Sequence, residues 1–197
     1  MTRLLAVAVA LLALTSSAVA QDLETGRRAD YVRAKTFQSL LWEPGIAGHY
    51  LTLDPGSVQP NGASARLYLS PLSSFEFSDS FWELRSVYKH RGYRAHVIRH
   101  RGNSRLNDQV LSVDLFRPEF TLSKGETSGS YWLVRYAGKY NGWDAYFIQT
   151  FAETDDGRDL SFVTVDPATK EIVLSAKPTP GSYWHIAPTS DLPAETR

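Results

Sequence analysis

One short phrase occurs three times in this chain at nearly constant spacing. The copies are Ser80-Phe81-Trp82, Ser130-Tyr131-Trp132 and Ser182-Tyr183-Trp184, and their tryptophans stand 50 and then 52 residues apart. A run ending in Leu-Ser precedes each copy, at Ser70, Ser123 and Ser175, and an aspartate precedes each of those runs, at Asp54, Asp114 and Asp166. Landmarks that recur in one order at one period mark a repeat architecture, in which each repeat is one structural unit.

Between these landmarks, short runs rich in Val, Ile, Tyr, Phe and Thr alternate with Gly, Pro, Asn, Asp and Ser, which is typical of short β-strands joined by tight turns. In the second unit we expect strands at 82–88, 93–100, 110–114 and 119–123. In the third we expect them at 132–136, 144–151, 161–165 and 171–175, with a closing strand at 183–187. The opening strand of the first unit falls between Tyr31 and Gly48 and has no clear pattern.

Three four-stranded units predict an all-β fold, a β-trefoil of three pseudo-repeats of about 50 residues. One such unit cannot bury its apolar face alone, whereas three share a core and pair their edges in a closed barrel. A β-sandwich also consists of many short strands, but sandwiches do not ordinarily repeat by threes.

The first 20 residues have the pattern of a secretory signal peptide. Arg3 precedes an apolar core from Leu4 to Leu14, and Ala18-Val19-Ala20 forms a cleavage site before Gln21. We therefore expect a secreted, extracellular product with one domain over 21–188 and a C-terminal tail over 189–197. No later stretch is apolar enough to span a membrane.

Composition excludes several kinds of chemistry. The chain has no cysteine, which rules out disulfides, thiol catalysis and zinc–thiolate sites. Without Arg3, 20 basic residues oppose 21 acidic ones, a formal charge of −1, so global charge predicts no nucleic-acid partner. His96 and His100 lack a clear third ligand, so we expect no metal site, and no other cofactor is expected.

From about residue 45 to 187 the chain resembles the ricin-B-type lectins, which are also classed as carbohydrate-binding modules. That family carries Gln-x-Trp near the end of each trefoil unit and an aspartate at the end of the second strand. Here the tryptophans and aspartates match three times, while serine replaces the family's glutamine in each copy. Where the family often presents a stacking aromatic residue, this chain has Ser70, Ser123 and Ser175. The resemblance implies a β-trefoil that binds a glycan or polysaccharide.

The resemblance makes Asp54, Asp114 and Asp166 candidate ligand-binding residues. A carboxylate can accept two sugar hydroxyls, but an aspartate followed by proline, as at positions 54 and 166, also caps a turn. Asp114 has no such proline and has Phe116 nearby, and Trp143 in the Asn141–Asp144 turn is a second candidate aromatic platform. The tryptophans of the repeated phrase are expected in the core.

A basic stretch without acidic residues runs from 89 to 105. Its candidate anion-binding residues are Lys89, Arg91, Arg94, Arg99 and Arg101. Such a patch can hold an anionic polysaccharide, with His96 and His100 strengthening it at low pH. The alternative is a solvated surface balanced by acidic residues elsewhere.

These features predict a secreted, non-enzymatic binding protein of lectin type, with no catalytic residues assigned. The first alternative is a secreted β-trefoil protease inhibitor, in which the 55–65 or 71–79 loop enters a target protease. The second is a hydrolase whose active site is built from loops.

Overall fold

A computed structural model describes residues 34–58, 64–71, 79–90, 93–102, 106–114, 117, 119–151 and 161–189. Within these ranges the regular structure is β-strand and short 3₁₀ turns, without an α-helix, which confirms the predicted all-β class. The signal-peptide segment and residues 190–197 lie outside the described residues. Thr189 is buried and its amide donates to the carbonyl of Ala34.

The described residues contain twelve strands. They are β1 (Lys35–Ser39), β2 (Tyr50–Leu53), β3 (Leu67–Ser70), β4 (Trp82–His90), β5 (Tyr93–His100), β6 (Val110–Val113), β7 (Phe120–Ser123), β8 (Tyr131–Tyr140), β9 (Trp143–Thr150), β10 (Phe162–Val165), β11 (Ile172–Ser175) and β12 (Trp184–Pro188). The expected strands agree with these to within one or two residues at most ends. β8 is the exception, because it continues past a bulge near Gly138 to Tyr140.

Six of the strands form a closed ring. β1 pairs with β4, β4 with β5, β5 with β8, β8 with β9, β9 with β12, and β12 again with β1, all antiparallel. The ring leaves none of these six strands as an open sheet edge, which removes a site of unwanted strand addition.

The other six strands form three hairpins, β2–β3, β6–β7 and β10–β11. Each joins the ring near the carboxyl end of β1, β5 or β9, through Gln38↔Tyr50, Arg99↔Val110 and Phe162↔Gln149. The antiparallel pairings make β1, β5 and β9 run in the same direction, so all three hairpins lie at one end of the barrel. A six-stranded barrel with three hairpins at one end is the arrangement expected of a β-trefoil.

The repeated tryptophans connect the barrel to the hairpins. Trp82, Trp132 and Trp184 are fully buried at the starts of β4, β8 and β12. Their indole N–H groups donate to the carbonyls of Leu51, Leu111 and Val163, over 3.0, 3.0 and 2.9 Å. Each ring therefore fills the core while its one polar atom is satisfied by the first strand of a hairpin.

The serines two places before the tryptophans are buried as well. Their hydroxyls pair with a hydroxyl on the same hairpin strand, in Ser80–Thr52 (2.7 Å), Ser130–Ser112 (2.7 Å) and Ser182–Thr164 (2.6 Å). Ser130 and Ser182 also accept the amides of Thr127 and Thr179. The serine two places before each of these tryptophans is thus a structural residue at all three positions.

Candidate functional site

The three candidate aspartates lie in the turns that follow β2, β6 and β10. Asp54 Oδ1 accepts the amide of Gly56 at 3.0 Å, and Asp166 Oδ1 accepts the amide of Ala168 at 2.9 Å. These bonds make both carboxylates turn caps, the alternative weighed from the sequence. The backbone amide of Asp114 donates to the carbonyl of Glu119. All three aspartates are partly exposed, and their role as sugar ligands stays a prediction.

The serines at the family's aromatic positions form local polar contacts. Ser123 and Ser175 donate to the carbonyls of Gly125 and Lys177, over 2.6 and 2.7 Å. Ser70 lies 3.1 Å from the Thr52 hydroxyl. None of these three positions supplies an aromatic face beside the hairpin carboxylates, and Phe116 lies outside the described residues.

Trp143 is not next to the aspartates. It begins β9, whereas the β10–β11 hairpin joins that strand at Gln149. Six residues of extended strand span roughly 20 Å. The structure therefore divides the sequence-predicted ligand set between the hairpin end of the barrel and its outer wall.

Most of the described arginines in the predicted basic patch have acidic partners. Arg99 lies 3.6 Å from Glu126, while Arg101 forms ion pairs with Glu83 and Asp108. Arg94 is exposed, Lys89 lies in β4, and Arg91 is outside the described residues. This arrangement favours the alternative of a surface balanced within the molecule.

Two of the three histidines in this stretch, His96 and His100, do not form part of an exposed cationic surface. Burial lowers the pKa of His96, so it gains charge only at more acidic pH than an exposed histidine. His100 is fully buried, its ring centroid 5.3 Å from that of Trp82 and its Nε2 3.2 Å from Asp79 Oδ1. No group of three potential metal ligands occurs among the residues that the structure describes.

Trp143, a platform candidate from the sequence, lies in a row of aromatic side chains on the outside of β8 and β9 and at the start of β12, and the sequence did not reveal the row as a whole. We call it the aromatic wall, and its members are Tyr140, Trp143, Phe147, Tyr183 and His185. Tyr183 and His185 flank the inward-facing Trp184, and Phe147 precedes the buried Ile148, so strand alternation turns all three outward. The signal was present in the Tyr-Trp-His phrase, but its neighbours come from distant parts of the chain.

Close ring contacts fix the aromatic wall. Phe147 and Tyr183 have centroids 4.9 Å apart, and Tyr183 stacks on Tyr140 at 4.5 Å with their planes 10° apart. Trp143 lies 4.9 Å from His185 and remains 49% exposed. These contacts hold an open aromatic surface on a rigid sheet.

His185 adds a polar group of defined orientation to this surface. Its Nδ1 lies 3.0 Å from the carbonyl oxygen of Asp144, and because a carbonyl only accepts, Nδ1 carries the proton in this contact. In the neutral ring Nε2 is then an acceptor, and the ring that carries it packs beside the Trp143 ring. The aromatic face can pack against C–H groups, and the fixed acceptor can bind a hydroxyl. This surface therefore suits a ligand ring that carries both kinds of group.

Near the tip of the β8–β9 ribbon, the opposite face has polar contacts. Lys139 Nζ lies 2.7 Å from Asp144 Oδ1, and the Tyr136 hydroxyl donates to the same oxygen at 3.2 Å. The hydrogen bond from Lys139 lowers the pKa of Asp144. These contacts tie the two strands together near the tip of the ribbon, where the aromatic wall ends.

No protein-family model and no curated protein sequence matches the chain. Solved structures are similar to it. A Caenorhabditis elegans protein with unknown function is 13% identical with a TM-score of 0.53, and the match covers 79% of this chain and 93% of that one. The SDF2-like protein from Arabidopsis thaliana is 11% identical with a TM-score of 0.53, covering 78% and 91%.

A third similar structure is the GlcNAcα1-4Gal-releasing endo-β-galactosidase from Clostridium perfringens. It is 9% identical with a TM-score of 0.51, and the match covers 79% of this chain but 32% of the enzyme. At these identities the likenesses show the fold alone, which is that of a β-trefoil. Among the described residues no helix is long and apolar enough to cross a membrane.

Proposed function

We propose that this protein binds carbohydrate without altering it chemically. The observation that carries the proposal is the aromatic wall, with Trp143 half-exposed and held against His185. A pyranose ring presents C–H groups on its faces and hydroxyls at its rim. An aromatic face packs against the C–H groups, and a few fixed polar groups bind the hydroxyls and so select among sugars.

The same surface supports sugar binding in a chain that has neither the glutamine nor the stacking aromatic residue of the ricin-B-type lectins. The hairpin serines supply no aromatic face, whereas the wall supplies several on one rigid sheet. Sites on strands are held more precisely than sites on loops. The hairpin carboxylates Asp54, Asp114 and Asp166 remain the competing location.

The test is a polysaccharide and glycan panel followed by calorimetry with the best ligand. We expect Trp143→Ala to weaken binding at least about tenfold, corresponding to about 1.4 kcal/mol of lost interaction. Trp42→Ala is the matched control, since Trp42 is 74% exposed and lies outside the wall.

Two results would contradict this location. Loss of binding in a triple Asp54→Asn, Asp114→Asn, Asp166→Asn variant, with Trp143→Ala unaffected, would move the site to the hairpin end. Release of sugar from any bound polymer by purified protein would contradict the non-enzymatic role. None of the described observations favours the protease-inhibitor alternative, and residues 59–63 and 72–78 of its loops lie outside the described residues.

We also infer that the domain is built from three pseudo-repeats and that it is exported. The recurring Trp-to-carbonyl and serine–hydroxyl contacts support the first inference. The Arg3, Leu4–Leu14 and Ala18–Ala20 pattern supports the second. Amino-terminal sequencing of the protein recovered outside its producing cells is expected to begin at Gln21.

A further inference from the structure

The proposed carbohydrate site has a cation at one end of its aromatic row. Arg135 lies in β8 directly across from Phe147 of β9, and its guanidinium carbon is 5.8 Å from the centre of that ring. Arg135 is exposed on the outside of the barrel. A guanidinium over an aromatic face is held in place while its N–H groups at the edge remain able to donate.

Several other arginines of the barrel and hairpins are paired with acidic residues. Arg85 and Arg99 share Glu126, Arg101 contacts Glu83 and Asp108, and Arg66 contacts Glu171. Arg135 has no acidic partner among the residues that the structure describes. Its side chain lies instead over the ring of Phe147, which belongs to the aromatic wall.

A further exposed aromatic residue, Tyr93, lies on β5, the strand that pairs with the other side of β8. The pairing of β5 with β8 ends at Ala95 and Leu133, and Tyr93 and Arg135 lie two residues beyond this pair on the same outer face. Tyr93 is 52% exposed. The cation therefore lies over Phe147, at the opposite end of the row from Trp143, and β5 with Tyr93 is on the other side of β8.

The row is longer than one sugar ring. Phe147 and Trp143 are four residues apart in β9, which corresponds to roughly 13 Å. A ligand that covers both positions is therefore a chain of at least two sugars. A ligand that also reaches Arg135 meets two or more guanidinium N–H donors, whose arrangement suits an anionic group.

Resting on the proposed function, we propose that the ligand is an acidic glycan whose carboxylate or sulfate binds Arg135 while its sugar rings pack along the wall towards Trp143. Carboxylate and sulfate share the chemistry that the guanidinium fork recognises. The cationic site is thus Arg135 rather than the basic stretch 89–105, where Arg99 and Arg101 are already ion-paired.

The experiment compares polymers that differ only in charge. Polygalacturonic acid is tested against its fully methyl-esterified form, and dextran sulfate against dextran, by calorimetry at low and moderate salt. We expect one acidic polymer to bind at least about tenfold more tightly than its neutral counterpart, and the difference to shrink as salt is raised. Which pair shows the difference identifies the anionic group.

Three variants make the test specific. Arg135→Gln is expected to remove the preference for the acidic polymer and leave the weaker neutral binding. Arg135→Lys is expected to keep part of the preference, because it retains charge but loses the planar fork. Arg94→Gln is the matched control, since Arg94 is exposed but follows Tyr93 in β5 and so points to the other face of the sheet.

The outcomes separate this proposal from the one on which it rests. Equal binding of acidic and neutral polymers, with Arg135→Gln silent and Trp143→Ala defective, would overturn the acidic ligand and retain the carbohydrate site. A preference that Arg94→Gln removes as completely as Arg135→Gln would also overturn it. Binding unaffected by Trp143→Ala would contradict the carbohydrate site itself. Urea midpoints of all variants establish that each is folded.

Discussion

At the scale of single residues, each position of the phrase Gly-Ser-Tyr-Trp, which occurs at 129–132 and at 181–184, has a separate role. The glycine lies against a hairpin carbonyl, the serine bonds a hairpin hydroxyl, the tyrosine faces outward and the tryptophan fills the core. The first unit has Asp79 where the others have Gly129 and Gly181. There the carboxylate meets the buried His100.

Gly129 provides a sharp test of this division of tasks. A Cβ atom at this position would lie 2.0 Å from the carbonyl oxygen of Val113, a backbone atom that cannot rotate away. We expect Gly129→Ala to lower the free energy of unfolding by about 2 kcal/mol or more, as other overpacked sites do. Urea denaturation measures the loss.

Gly125→Ala is the control for that change, because nothing lies within 4 Å of its added Cβ. It is expected to leave the urea midpoint nearly unchanged. Equal midpoints for the two variants would show that the close approach to Val113 is not required for stability.

At the scale of elements, the β8–β9 ribbon determines the shape of the proposed site. It turns through Asn141 and Gly142, with φ values of 51° and 85°. Two consecutive residues with positive φ are typical of a type I′ turn, which Asn-Gly favours. This turn makes Tyr140 and Trp143 a cross-strand pair. A two-residue turn therefore places two of the aromatic groups of the wall.

Changing Gly142 to alanine tests this role. A side chain at φ of 85° costs about 1–2 kcal/mol, a strain that the turn can relieve by rearranging. We expect Gly142→Ala to weaken carbohydrate binding several-fold while the midpoint of global unfolding changes little. Asn141→Gly keeps the left-handed conformation accessible and is expected to bind normally, so a defect in both variants would contradict the turn's role.

At the scale of the whole molecule, closure of the barrel joins the beginning of the described chain to its end. All five residues of β1 are in register with β12, from Lys35↔Pro188 to Ser39↔Trp184. The core cluster takes side chains from all three hairpins and from the ring, including Trp82, Trp132 and Trp184. Because the ring and the three hairpins share this core, we expect them to unfold together.

Fluorescence makes this cooperativity measurable. The chain has five tryptophans, and replacing the exposed Trp42 and Trp143 by phenylalanine leaves the three buried ones as reporters. We expect their urea transition to coincide with that of the far-ultraviolet circular dichroism. In the same background Trp132→Ala is expected to cost about 3–5 kcal/mol and to shift both signals together. A separate early transition would contradict a single cooperative unit.

The sequence predicted the barrel well because its landmarks are local and repeated. The strands of the second and third units follow from alternation and from turns such as Asp166–Lys170. The strand β1 was not placed from the sequence because two of its polar residues, Thr36 and Ser39, are buried. Its hydrophobic pattern therefore does not show which residues face the core.

The proposed site was harder to predict because it joins distant segments. The stacking of Tyr140 on Tyr183 depends on β9 pairing with β12. Neutralisation of the basic stretch depends on Glu83 and Glu126, which lie outside that stretch and reach it only in the folded barrel. Neither the partner strand nor these ion pairs can be read from the spacing of residues along the chain.

The pairing of Lys35 with Pro188 places the two ends of the barrel side by side, so a short linker can join them and the chain can be opened elsewhere. Opening it between Asn141 and Gly142 would give a circular permutant that keeps every ring pairing but no longer ties Tyr140 to Trp143 through a turn. The barrel and the proposed binding surface are thus separable: a permutant of this kind is expected to retain the architecture while removing the turn that links Tyr140 to Trp143.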